Sequence, residues 1–377
     1  MSVSCFNNRW WLNTLFLSIV TLCTTLAFML YIIYMINRIA LHGVYYDLYI
    51  YQNTFFFMLI GLCSFGYFIL PFLHTISGTL KHKRLLIYAF LLQIVSLILF
   101  YLYLSFLTMF LSVIAMSLYN AIFVLLSVNL WKSAPPHLRF FVLSILYGFH
   151  GSMVIMAFKA SFFILQYHDL DLSFALPLCT VFLAISGFFT WLIRFPKSLK
   201  RPIRRVSDHL FINIFHLMKH YKVFLGLMML VVLIYVFYAS LDLNKIKWFV
   251  QSFEFLTVGQ VILIICINLV ILIAFTYFVE KLHVRYAAIG FTLIFTVISA
   301  FSFYWLSVHN LAEVLYIRGA YFIYGAVSLI SYALSMAAAI DKLFRAFSSN
   351  RVFIFSVFYL LSSILIWIFL QLISSWL

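Results

Sequence analysis

Ionisable side chains inside long apolar runs are costly in a membrane, so the few found there are the first places to look for chemistry. Arg318 stands about two turns into one such run, where its planar fork can hold a carboxylate or phosphate of a solute through paired hydrogen bonds. The same residue can instead pair with Glu313, five positions earlier, or extend toward headgroups. Lys159 poses the same choice in the outer part of another run. His150, set between Gly148 and Gly151 near the middle of that run, is either a proton relay or a hydrogen-bonded packing residue. Asn120, with Gln93, Gln260 and Asn268, can complete a solute site or simply bond a neighbouring helix.

The carboxylates Asp47, Asp169, Asp171, Asp208, Asp242, Glu254, Glu280, Glu313 and Asp341 all fall in loops or within a turn or two of a run's end. Proton-coupled carriers commonly use a buried carboxylate whose pKa burial raises toward the working range. None is offered at mid-membrane, so these residues give proton coupling no support. There is no Walker loop, H-E-x-x-H, G-x-S-x-G or dinucleotide fingerprint, and the chain is read as a non-enzyme without a cofactor. Cys5, Cys23, Cys63, Cys179 and Cys266 are scattered without C-x-x-C spacing, and no metal site is expected.

The elements that must position these groups follow from composition. Of 377 residues, 66% are hydrophobic and 9% charged, more apolar surface than a water-soluble domain can bury. A bilayer core about 30 Å thick is crossed by roughly 20 apolar residues in a helix. Blocks of that kind run over 12–37, 50–75, 85–104, 107–131, 140–166, 173–194, 221–241, 256–278, 286–306, 312–340 and 352–376. They lack the period-two alternation of barrel strands, and lipid offers the backbone no hydrogen-bond partners. The expected fold class is therefore an all-α integral membrane bundle of about 11 spans.

The formal net charge of +15 is a topology signal rather than a nucleic-acid signal. With the N-terminus inside, 19 of the 24 basic residues fall in cytoplasmic segments. Arg38, Lys245 and Lys247 fall outside, and Lys159 and Arg318 lie within spans. The positive-inside rule is then obeyed in every loop, which supports the eleven-span count with a cytoplasmic N-terminus; the expected location of this multi-pass chain is the cell (inner) membrane. The longest polar stretch, 195–222, separates an N-terminal six-span half, 1–194, from a C-terminal five-span half, 223–377. It carries Lys197, Lys200, Arg201, Arg204 and Arg205 and suits a linker lying on anionic headgroups. The expected partners are a small-molecule solute and membrane lipids, not nucleic acid, for a chain working as a monomer.

The two halves repeat. Gly78-Thr79-Leu80-Lys81-His82-Lys83-Arg84 follows the second block, and Val279-Glu280-Lys281-Leu282-His283-Val284-Arg285 follows the eighth. The fifth block opens Arg139-Phe140-Phe141-Val142-Leu143-Ser144-Ile145-Leu146-Tyr147, and the eleventh opens Arg351-Val352-Phe353-Ile354-Phe355-Ser356-Val357-Phe358-Tyr359. Arg, Phe, Ser and Tyr coincide, and the remaining positions are apolar in both.

On these residues the sequence resembles the major facilitator superfamily, and more narrowly its proline/betaine-type metabolite:proton symporter branch. Gly78, Lys83 and Arg84 match the family's G-D-x-x-G-R-[KR] turn loosely. Pro135, Pro136, Arg139, Ser144, Tyr147 and Gly151 match its P-x-x-x-R junction, and Asp341, Lys342, Arg345, Arg351, Ser356 and Tyr359 match the second copy. The resemblance implies gating roles for Gly78, Lys83, Arg84, Glu280, Arg285, Arg139 and Arg351. Thr79 stands where the family has an acidic residue and His82 where it has glycine, while Glu280 keeps the acid in the second copy. The family's twelfth span is absent from the eleven-block reading. The resemblance further implies a secondary transporter of a zwitterionic or anionic solute. The alternatives are a non-transporting degenerate paralogue and a multispan transferase acting on lipid-linked substrate.

Overall fold

The computed structural model describes residues 10–43, 82–103, 105–167, 174–193, 220–234, 236, 258–308, 314–347 and 351–374, with side chains described for most of them. They form α1 (Trp10–Gly43), α2 (His82–Leu102), α3 (Phe106–Ser133), α4 (Arg139–Tyr167), α5 (Ala175–Leu192), α6 (Tyr221–Ile234), α7 (Val258–Lys281), α8 (Arg285–Val308), α9 (Val314–Ala346) and α10 (Arg351–Ser374). Among the described residues there is no strand. Seven of these helices hold stretches long and apolar enough to cross a membrane, and the chain is a multi-pass membrane protein. The block at 50–75 and most of the 195–222 linker lie outside the described residues.

Local signals set the helix ends. Ser105 caps α3: its hydroxyl accepts from the Thr108 backbone N–H at 3.2 Å, and Thr108 Oγ1 accepts from the Ser105 N–H at 3.1 Å. Ala134 precedes Pro135, which pushes it to extended backbone and stops the helix. A short 3-10 turn, Pro136–Leu138, then delivers the chain to Arg139. Several helices outrun their apolar blocks. α9 in particular continues to Ala346, so that Asp341 and Arg345 share its last two turns instead of a loop.

The chain divides into two compact units that interleave along the sequence. The first comprises Met1–Pro135, Met153–Tyr221 and Phe347–Leu360. Within it α1 lies on α5 and α3, and α2 on α5 and α3. Cys179 Sγ donates to the Ala27 carbonyl at 3.2 Å. Lys83 donates to the carbonyls of Trp191 and, at 3.1 Å, Ile193, so its cation closes the C-terminal end of α5. The second unit comprises Pro136–Ser152, Lys222–Ala346 and Leu361–Leu377, with α9 packed on α8 and α7.

Candidate functional site

In the second unit the turn from α7 to α8 builds an ion network. α7 closes in a Schellman turn: His283 N–H reaches the Glu280 carbonyl and Val284 N–H the Val279 carbonyl, both at 3.3 Å. The turn requires a left-handed residue, and His283 takes φ 56. This reversal sets Glu280, in the last turn of α7, beside Arg285, the first residue of α8. Arg285 grips the carboxylate at both oxygens, Nε donating to Oε2 at 2.8 Å and Nη2 donating to Oε1. Glycine adopts φ > 0 freely, whereas a side chain there costs roughly 1 kcal/mol. His283→Gly is therefore expected to raise the melting temperature in detergent. A lower melting temperature would mean that the imidazole contributes a contact outweighing the strain.

α9 supplies the second carboxylate. Asp341 accepts from Arg345 Nη2 at 2.9 Å, one turn on, and lies 3.9 Å from Arg285 Nη1. The carboxylate side chains are only 5% and 8% exposed, against 25% for Arg285 and 51% for Arg345. Buried acids are thus covered by their own cations, which lowers the cost of burying them. Arg139 joins from the start of α4, ahead of its apolar run. Burial pushes its guanidinium pKa down, the neighbouring Asp341 pulls it up, and Arg345 pushes it down. Phe140 then offers its ring to Arg285, 5.1 Å from the guanidinium carbon. The network fastens the start of α4, the α7–α8 turn and the end of α9 at one end of the helices.

The equivalent positions in the first half are chemically different. Arg84, the counterpart of Arg285, is exposed. Ten residues before Arg351 stands Asp341, but ten before Arg139 stands Asn129, whose amide donates to its own helix at Leu125. In the first unit Arg351 instead lies over the buried Trp131 ring, 4.5 Å from its centroid. The repeated segments nonetheless agree in detail. Ser144 donates to the Phe140 carbonyl and Ser356 to that of Val352, while Tyr147 meets Tyr332 edge-on and Tyr359 meets Phe123 edge-on.

Of the sequence-derived gating residues, Glu280, Arg285 and Arg139 come together with Asp341 and Arg345. Lys83 closes α5 and Arg351 covers Trp131; Gly78 lies outside the described residues. Of the solute-site candidates, His150 is buried in the first half of α4 and Asn120 is half-buried in α3. Arg318 and Lys159 lie in α9 and α4, with side chains outside those described, and Glu313 is also outside. Among the described residues no group of His, Cys, Asp and Glu forms a metal site. The junction sequence Asp341 to Arg345 signalled a second copy of the family pattern, yet the pairing of Arg351 with Trp131 had no sequence mark.

Comparison with known proteins bears on the architecture. No protein-family model and no curated protein matches the sequence. Solved structures do match. The proton:xylose symporter XylE bound to 6-bromo-6-deoxy-D-glucose aligns with TM-score 0.64 at 13% identity, over 98% of this chain and 90% of that one. The chain has the major facilitator fold. The Escherichia coli fucose:proton symporter FucP aligns with TM-score 0.60 at 15% identity, over 96% of this chain and 90% of that one. The human organic anion transporter TETRAN aligns with TM-score 0.53 at 15% identity, over 96% of this chain and all of that one. At such identities the major facilitator fold is what is shared, and it does not select a branch within the superfamily.

Proposed function

We propose that the chain is a secondary carrier that moves a small polar solute by alternating access, its N-terminal half 1–194 and C-terminal half 223–377 moving about the 195–222 linker. The observation that carries this reading is the ion network of Glu280, Arg285, Asp341 and Arg345 within a major facilitator fold. Such a network is a reversible latch, because each bond is made to a cation partly open to water and can be exchanged for hydration. Arg139 brings the start of α4, from the N-terminal half of the sequence, into the same latch. Gly78, Lys83, Arg84 and Arg351 would act at the corresponding end of the first half. The asymmetry between Glu280 and Thr79 makes the second copy the stronger latch.

A zwitterionic or anionic solute fits best, because Arg318 and Lys159 are cations within spans and no carboxylate stands at mid-span. His150 and Asn120 would supply hydrogen bonds. The cytoplasmic N-terminus follows from the positive-inside pattern. Sugars are the competing class, since the xylose and fucose symporters share the fold. The deciding measurement is uptake of labelled proline, glycine betaine, organic acids, xylose and fucose into proteoliposomes, with and without a proton gradient. Saturable uptake of a zwitterion or acid is expected, falling at least tenfold in Arg318→Ala. Uptake of sugars alone would replace the solute class, and no uptake of any solute by folded protein would sink the carrier reading.

A further inference from the structure

We infer that the surface formed by the α7–α8 turn and the last turns of α9 docks the headgroup of an anionic phospholipid. Three span ends meet there: the candidate spans end at Lys281, begin at Arg285 and end at Ala346, which sets this surface at the depth of lipid phosphates. Both carboxylates of this end, Glu280 and Asp341, are buried and already engaged by Arg285 and Arg345. The groups that face outward are cations. Lys281 and Lys342 are exposed and have no hydrogen-bond or ion-pair partner among the described residues, while Arg345 is half-exposed. Across this end Arg139, Lys281, Arg285, Lys342 and Arg345 stand against two carboxylates.

The apolar half of the recognition is beside them. Leu282, Val284 and Tyr286 are 65%, 43% and 80% exposed. A cationic patch bordered by exposed apolar and aromatic residues matches a lipid that presents a phosphodiester above acyl chains. A free anion would use the lysines and leave the apolar border unused. A zwitterionic lipid brings its own cation toward theirs. The inference is independent of what the chain transports.

The test uses the purified full-length chain and measures binding of phosphatidylglycerol and phosphatidylcholine by native mass spectrometry in a delipidating detergent. The wild type is expected to hold phosphatidylglycerol at least tenfold more tightly. The variant Lys281→Gln/Lys342→Gln should lose roughly 25-fold, from about fivefold per cation. Both side chains are exposed, so its melting temperature should match the wild type; Lys281→Glu/Lys342→Glu should go further and leave phosphatidylglycerol the more weakly held of the two lipids. Equal retention of the two lipids by the wild type would overturn the proposal, as would equal retention of phosphatidylglycerol by wild type and variants. Displacement of the lipid by millimolar inorganic phosphate would overturn it in favour of a soluble anion.

Discussion

Replacing Glu280 by Gln is expected to cost about 2 kcal/mol of stability and to cut transport at least tenfold. Gln keeps the size of Glu280 but removes the charge to which Arg285 makes two hydrogen bonds. Breaking a buried pair by neutralising one partner typically costs about 3–5 kcal/mol, because the other charge is left behind. Here Arg285 is a quarter exposed and still has Asp341 at 3.9 Å and the Phe140 ring at 5.1 Å, so the cost falls below that range, to about 2 kcal/mol. The check is thermal unfolding in detergent beside uptake in liposomes. Adding Arg285→Gln should restore more than 1 kcal/mol of the loss, because the orphaned cation is removed with its partner. Arg84→Gln, at the exposed counterpart, should leave the melting temperature unchanged. An unaltered melting temperature in Glu280→Gln would show that the pair stores no stability, and the latch would lose its basis.

Gly148→Leu is expected to be more damaging still, at or above about 3 kcal/mol, and to lower the yield of monodisperse protein. A Cβ on Gly148 would lie 2.0 Å from Leu272 Cδ2 and 3.5 Å from Leu272 Cγ, with the Ala333 methyl 3.9 Å away. Leu272 is completely buried, so its displaced methyl has to be housed by a packed interior. Gly148→Ala should cost about 1–3 kcal/mol in the native background and less in a Leu272→Ala background, where the clashing methyls are gone. Gly290→Ala is the control, since nothing lies within 4 Å of the Cβ that it would add and its helix gains propensity. If Gly148→Leu melts like the wild type, α4 and α7 do not approach as closely as described.

Most of the helices were legible because apolar length is a one-dimensional property. The block at 107–131 became Phe106–Ser133, and that at 352–376 became Arg351–Ser374. The ends were missed where polar residues continue a helix. Asp341, Lys342 and Arg345 read as a junction, yet they extend α9 because lysine and arginine are good helix formers and Asp341 is held by Arg345 one turn on. The repeat was legible too, and the structure gives it a geometric meaning: Ser144 and Ser356 make the same bond to the preceding turn, and Tyr147 and Tyr359 each meet an aromatic edge.

The candidate site was legible in part. Glu280, Arg285 and Arg139 were singled out individually, but the meeting of Glu280 with Arg285 depends on a left-handed His283, a conformation that a histidine in the sequence does not advertise. The close approach at Gly148 was hidden for a similar reason, since its partner Leu272 lies more than a hundred positions away. The narrower resemblance to a proline/betaine branch rested on short motifs. The solved structures that share the fold include sugar symporters and an organic anion transporter, so the solute class rests on uptake measurements.

The interleaving of the two compact units also fixes a timetable for biosynthesis. Residues 136–152 leave the ribosome well before 222–346, the segment with which they pack, and 347–360 arrive long after most of the first unit has been inserted. Neither unit can therefore be finished in order of synthesis. Arg139 and Gly148 must wait for Asp341 and Leu272, while Trp131 waits for Arg351. A nascent chain halted just before Phe347 would leave both units incomplete at once, one lacking 347–360 and the other 361–377. Quality-control proteases should accordingly clear such a product as thoroughly as one halted near the centre.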